Sequence, residues 1–109
     1  MSITFKQYQS FTATTAIYPN SGKNPEYPTL GLAGEAGEIA NKVKKMQRDN
    51  LSTHDLSEFI SKEIGDVLWY CSQLATEFGL SLNNIAVENM EKLSDRQERG
   101  VLQGSGDNR

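Results

Sequence analysis

DLSEFISKEIGDVLWYCSQLATEFG, residues 55–79, is the stretch that decides the fold. Leu56, Phe59, Ile60, Ile64, Val67, Leu68, Cys71, Leu74, Ala75 and Phe78 recur at steps of three and four, the period of one helix face. Asp55 with Glu58 can cap its start, and Gly79 is suited to close it. The flanking chain repeats the pattern. Thr29, after Pro28, is predicted to cap a second helix running to about Arg48, with Leu32, Ile39, Val43 and Met46 on its apolar stripe and Asp49-Asn50 ending it. Thr4 with Gln7 makes a capping box for a first helix that carries Phe5, Tyr8 and Phe11 or Thr12 and ends near Ile17. Ser81 opens a fourth through Leu82, Ile85, Ala86, Val87, Met90 and Leu93, and Gly100 closes it. The three prolines, Pro19, Pro25 and Pro28, fall in Tyr18 to Pro28, which reads as one loop. No run alternates in the manner of a strand. The expectation is an all-α protein, an antiparallel four-helix arrangement in one domain over residues 1–100, with residues 101–109 a flexible glycine-rich tail.

At 109 residues the chain is one domain with a modest core, which association with further copies would help to cover. Its 14 acidic against 11 basic residues give a net charge of −3, which argues against nucleic-acid polymers, since phosphate neutralisation needs a cationic face. One cysteine, Cys71, and one histidine, His54, exclude a disulfide, multi-cysteine sites and two-histidine metal motifs. Cys71 falls on the apolar stripe and reads as an inert core thiol; His54 reads as a surface residue of a turn. There is no signal-peptide pattern and no apolar run near the ~20 residues of a membrane helix, so no membrane partner and a cytoplasmic location are expected.

Carboxylates are the abundant reagent. Glu35-Ala36-Gly37-Glu38 and Glu63-Ile64-Gly65-Asp66 each place two acids at i, i+3, one above the other on one helix face. In an antiparallel hairpin turning between Leu51 and Ser52, the first pair averages 15 residues before the turn and the second 13 after it, a vertical offset of about 3 Å. Four acids at one level repel unless cations join them, and such hard oxygen ligands suit Mg²⁺ or Mn²⁺. Di-iron bundles use Glu-x-x-His, and neither pair is accompanied by histidine. Gly37 and Gly65 stand at equivalent places, where a glycine weakens the helix by roughly 1 kcal/mol and implies close approach of backbone or ligand.

Glu35-x-x-Glu38, 24 intervening residues and Glu63-x-x-Asp66 resemble the signature of the MazG-like, all-α nucleoside triphosphate pyrophosphohydrolases. The similarity extends through Leu30 to Ile39, through Glu63 to Tyr70, and into Asn89-Met90-Glu91-Lys92-Leu93 with Arg96, Arg99 and Gly100. The resemblance implies a Mg²⁺-dependent enzyme, with Mn²⁺ as a substitute. It would hydrolyse a nucleoside triphosphate between the α and β phosphates to the monophosphate and pyrophosphate, clearing unwanted or modified nucleotides. It makes Glu35, Glu38, Glu63 and Asp66 the metal ligands and catalytic residues, one of which is open to a role as base. Homodimers or homotetramers, with neighbouring helices completing the pocket, are the implied assemblies.

The supporting residues carry two readings each. Asn89, Lys92, Arg96 and Arg99 make a polar stripe on the fourth helix that can receive phosphate; Arg96 and Arg99 can equally pair with Glu88, Glu91, Asp95 or the third helix, while Asn89 and Lys92 match the family's Asn-x-x-Lys. Lys42 and Lys45 continue the Glu35–Glu38 face, to steer phosphate or to pair within the helix. Tyr70, one turn after Asp66, can stack on a base; Trp69, one residue off that face, is assigned to the core or an interface. Two alternatives stand beside the enzyme: a non-catalytic helical interaction module, and a hydrolase of another pyrophosphate linkage such as a phosphoribosyl nucleotide.

Overall fold

The computed structural model describes residues 1–50 and 52–109. Leu51, on which the centre of the expected hairpin turn falls, lies outside them. Among the described residues there are four helices, α1 (Phe5–Thr15), α2 (Glu26–Asp49), α3 (Thr53–Glu77) and α4 (Leu82–Glu98), and no strand. The protein is all-α, as its periodicity requires.

Local chemistry sets most boundaries. The Thr4 hydroxyl accepts from the Gln7 amide at 3.1 Å while the Gln7 side chain accepts from the Thr4 amide at 2.8 Å, a complete capping box. Ser81 caps α4 by accepting from the Asn84 amide. Gly79 and Gly100 follow α3 and α4 with φ of +67° and +71°. The next amides, of Leu80 and Val101, donate back to the Ala75 and Arg96 carbonyls, so both helices close in Schellman motifs.

Three starts and ends depart from expectation. Helix α2 begins at Glu26, not after Thr29, so Tyr27 and Pro28 belong to its first turn. Proline is tolerated there because the first-turn amides have no helical acceptor. The Asn24 side chain accepts from the Tyr27 amide, and the Thr29 hydroxyl is spent on the Pro25 carbonyl. Helix α3 is capped by Ser52, whose hydroxyl accepts from Asp55, and its first turn includes His54. Helix α1 stops at Thr15, short of Ile17.

Helices α2 and α3 form the principal pair, and α1 and α4 both pack on α3 and on each other; among the described residues α4 does not pack on α2. The α1–α3 seam is polar. Thr12 takes the inward place and Phe11 is exposed. The Thr12 and Ser72 hydroxyls, both fully buried, are 2.7 Å apart. Gln9 ties three elements together: its amide donates to the Thr76 hydroxyl and the Leu80 carbonyl, and its oxygen accepts from the Leu82 amide at the start of α4. The buried apolar set is small, Tyr18, Leu56, Ala75 and Leu82, while Ile64, Phe78, Ile85, Val87, Met90 and Leu93 stay exposed. The radius of gyration, 16.7 Å, exceeds the roughly 13 Å usual for a compact chain of this length. No helix is long and apolar enough to cross a membrane, among the described residues.

Candidate metal centre

The α2–α3 pairing brings the two carboxylate pairs to one level, as the residue arithmetic predicts. Glu35, Glu63 and Asp66 each offer a carboxylate oxygen, and these oxygens lie within 4.8 Å of one another. Glu38 adjoins the same group: hydrogen bonding with Glu63, then the Glu63 charge, hold its carboxyl above the usual range. Glu63 is likewise pushed up, first by hydrogen bonding with Glu35, with desolvation and the Glu35 and Asp66 charges adding to it. Such shifts mark acids crowded without compensating charge. Among the described residues none of the four makes an ion pair.

Two oxygens identify the ligand chemistry that the arrangement suits. Glu35 Oε2 and Glu63 Oε2 are buried and have no hydrogen-bond partner. A buried carboxylate oxygen without a donor is costly, and two from facing helices beside Asp66 form a hard, oxygen-only donor set. That set fits a divalent cation of the Mg²⁺ or Mn²⁺ kind.

A cavity of about 320 Å³ opens beside these acids, lined by Glu35, Asp66, Trp69 and Tyr70. Trp69 therefore belongs to the site wall, against its assignment to a core or interface. Its indole N–H donates to the Thr15 hydroxyl at 2.8 Å, and its ring meets Tyr70 edge-on at 5.1 Å and Tyr18 edge-on at 6.3 Å. Tyr70 has its hydroxyl pKa raised by burial first, then by Tyr27, Glu35, Asp66 and Glu38. Tyr8 of α1, unassigned by sequence, is also near: burial and then the Asp66 charge raise its hydroxyl pKa. Its place on an apolar stripe gave no sign of this.

The close approach expected at Gly37 and Gly65 is absent between the protein's own helices, since a Cβ at either would meet nothing within 4 Å. It occurs at Gly31 instead, where the Tyr70 ring occupies the place of a side chain.

The cationic candidates lie further off. Lys42 lines a second hollow, about 230 Å³, with Glu38, Asn41, Lys45 and Phe59, and its ammonium stands 5.0 Å from the Phe59 ring centroid. Asn89, Lys92 and Arg96 are on α4 and line neither hollow. Arg96 is buried and donates to the Asp107 carbonyl at 2.8 Å, while Lys92 reaches the Asp107 carboxylate at 3.4 Å. Residues 101–109 fold back on α4 through these bonds and through the Arg109 carbonyl, which accepts from Arg99, while the Arg109 guanidinium closes the segment on itself by donating to the Val101, Leu102 and Gly106 carbonyls. Arg99 pairs with Asp95 at 2.8 Å, the intrahelical alternative.

Comparison with known proteins agrees with this picture. Residues 23–101 match the MazG nucleotide pyrophosphohydrolase domain, a span that includes all four acids and α4. The Gene 37 protein of Mycobacterium phage L5 is 47% identical over 109 residues, spanning 94% of this chain and 96% of that protein. No solved structure matches. With the family match running across α2, α3 and α4, this chain belongs to the MazG nucleotide pyrophosphohydrolase domain family.

Proposed function

We propose that this protein is a Mg²⁺-dependent nucleoside triphosphate pyrophosphohydrolase, accepting Mn²⁺ as substitute. It converts ribo- or deoxyribonucleoside triphosphates to the monophosphate and pyrophosphate, and so clears non-canonical or excess nucleotides from the cytoplasmic pool. The carrying observation is the pair of orphaned oxygens, Glu35 Oε2 and Glu63 Oε2, buried beside Asp66 on facing helices.

Glu35, Glu63 and Asp66 would hold the cation, with Glu38 completing the acidic set. A divalent ion held there would supply neutralisation of phosphate charge and a bound water of lowered pKa. The chain's own residues supply binding and orientation. Tyr70 and Trp69, set edge-on to one another, line the cavity beside the acids, and the Tyr70 ring offers a surface on which a base can stack. The carboxylate whose pKa is pushed up and that is not engaged as ligand is suited to take a proton from water; Glu38, exposed and outside the three-oxygen group, meets that description. The room above Gly37 and Gly65 lets phosphate oxygens approach the helices closely. Lys42 borders the Glu38 side and draws phosphate toward it.

Asn89, Lys92 and Arg96 serve this site in an assembly. Among the described residues helix α4 does not pack on α2 within one chain and leaves Ile85, Val87, Met90 and Leu93 exposed. A homodimer or homotetramer covers that face and carries the α4 cations to a neighbouring copy's acids.

Calorimetric titration with Mg²⁺ and Mn²⁺, with and without a non-hydrolysable triphosphate, tests the reading against a purely helical interaction module. The enzyme binds cation, and binds it more tightly with nucleotide present. An interaction module binds neither.

A further inference from the structure

Gly31 and Tyr70 have a relationship that the acids alone do not require. An ideal Cβ on Gly31 would lie 2.1 Å from Cε1, 2.4 Å from Cζ and 2.5 Å from Cδ1 of Tyr70. These are ring atoms, and the ring cannot yield by rotating a flexible tip. By contrast Gly34, Gly37 and Gly65, the other glycines within α2 and α3, have open space where a Cβ would stand. Glycine is among the poorest residues for a helix interior, so one whose missing side chain is replaced by a neighbour's ring has a packing reason to be there.

A second aromatic side chain packs against the ring. Trp69 meets it edge-on at 85°, and Trp69 is itself held by the Thr15 hydroxyl of α1. Gly31 lies one helical turn before Glu35, and Tyr70 one turn after Asp66. The seat and the carboxylates therefore share the same two helix faces, and the depth of the seat sets how far the aromatic wall stands from the acids.

We propose that Gly31 is a positioning residue: its absent side chain seats the Tyr70 ring against α2 at the wall of the carboxylate cavity, where the ring receives the planar base of a nucleotide. This rests on the nucleotide reading given above. Any larger residue at position 31 pushes the ring toward the cavity and narrows the slot for the base, while the cation ligands stay where they are.

The test is a double-mutant cycle on the full chain with Gly31→Ala, Tyr70→Ala and the two together. Three quantities are read: the thermal midpoint, Mn²⁺ affinity, and affinity for the four deoxynucleoside monophosphates in the presence of Mn²⁺. Gly31→Ala is expected to lower the midpoint and to weaken the best-bound monophosphate about tenfold, within the range for base stacking on an aromatic ring. Mn²⁺ affinity should stay within about twofold, since no ligand is altered. Tyr70→Ala should weaken the monophosphate to a similar degree. The double variant should bind no more weakly than Tyr70→Ala and melt above it, because alanine is the better helix former once the seat is empty. If Gly31→Ala does not fold, folding of the double variant reports the seat, and Tyr70→Ala reports the base. Wild-type monophosphate affinity in Gly31→Ala or in Tyr70→Ala, or a double variant less stable than either single one, overturns the proposal. A wild-type protein that releases no pyrophosphate while the cycle behaves as described removes the hydrolase reading alone; normal turnover with KM unchanged in Gly31→Ala removes the seat alone.

Discussion

Thr12 and Ser72 meet hydroxyl to hydroxyl at 2.7 Å where α1 lies on α3, and neither side chain is reached by solvent. The Thr12 hydroxyl also engages the Gln9 carbonyl, so the bond links two helices and one helical turn. Replacing Thr12 with the isosteric Val strands the buried Ser72 hydroxyl without its partner. Thr12→Val should lower the urea-unfolding free energy by about 1–3 kcal/mol. Adding Ser72→Ala should recover much of the loss, since a seam with both polar groups removed leaves nothing unsatisfied.

Glu77 gives the fold its acid sensitivity. Its carboxylate accepts from the Tyr18 hydroxyl and from the Gly22 and Asn24 amides, which anchors the segment between α1 and α2 to the end of α3. Desolvation pushes its pKa up, but the three hydrogen bonds together outweigh that and hold it below the ordinary carboxylate range. A folded pKa below the unfolded one contributes stability above the unfolded value, near 4.3, which is lost as pH falls through the folded value. Thermal midpoints should therefore drop below about pH 4.5, and Glu77→Gln should flatten that drop while lowering the midpoint by several degrees at pH 7.

Helix ends were legible where one side chain and one turn suffice. Thr4, Gln7, Ser81, Gly79 and Gly100 each act on backbone within a few residues, and each does as its sequence context requires. Thr29 and Asp55 misled because another acceptor stood upstream, the Asn24 side chain, which takes the Tyr27 amide in the first turn of α2, in one case and the Ser52 cap in the other. The level of the four acids followed from helical rise and a short turn. Trp69 could not be placed that way, since its orientation depends on Thr15, distant in sequence, and the Gly31–Tyr70 seat depends on the depth at which two helices pack. The α1–α3 seam was hidden for a similar reason: its buried members Thr12 and Ser72 are polar, and an apolar period does not reveal them.

Removing one of the crowded charges should help the free protein and harm the site. Glu63 is held above its ordinary pKa by its acidic neighbours and has a buried oxygen with no donor. Glu63→Gln is expected to raise the thermal midpoint in chelator, to keep full helicity by circular dichroism, and to weaken Mn²⁺ by more than about tenfold. Loss of helicity instead would mean that the acid is structural.

Glycines of α2 and α3 should divide by what covers them. Gly37 has a helical φ and open space at its Cβ position, so Gly37→Ala should stabilise the free protein by about 0.5–1 kcal/mol in urea unfolding. Gly79, at φ +67°, closes α3, and Gly79→Ala should destabilise by about 1–2 kcal/mol because alanine resists the left-handed region. If the space over Gly37 admits phosphate oxygens, the stabilised Gly37→Ala protein should also show a higher KM for triphosphate.

Product identity tests the central claim most directly. Purified protein with Mg²⁺ is incubated with a panel of canonical and modified nucleoside triphosphates, and phosphorus NMR follows the products. The four acids brought together by α2 and α3 predict pyrophosphate and the monophosphate from at least one member of the panel, with that release abolished by chelator. Orthophosphate with the nucleoside diphosphate and no pyrophosphate, or no turnover of any triphosphate, would contradict it.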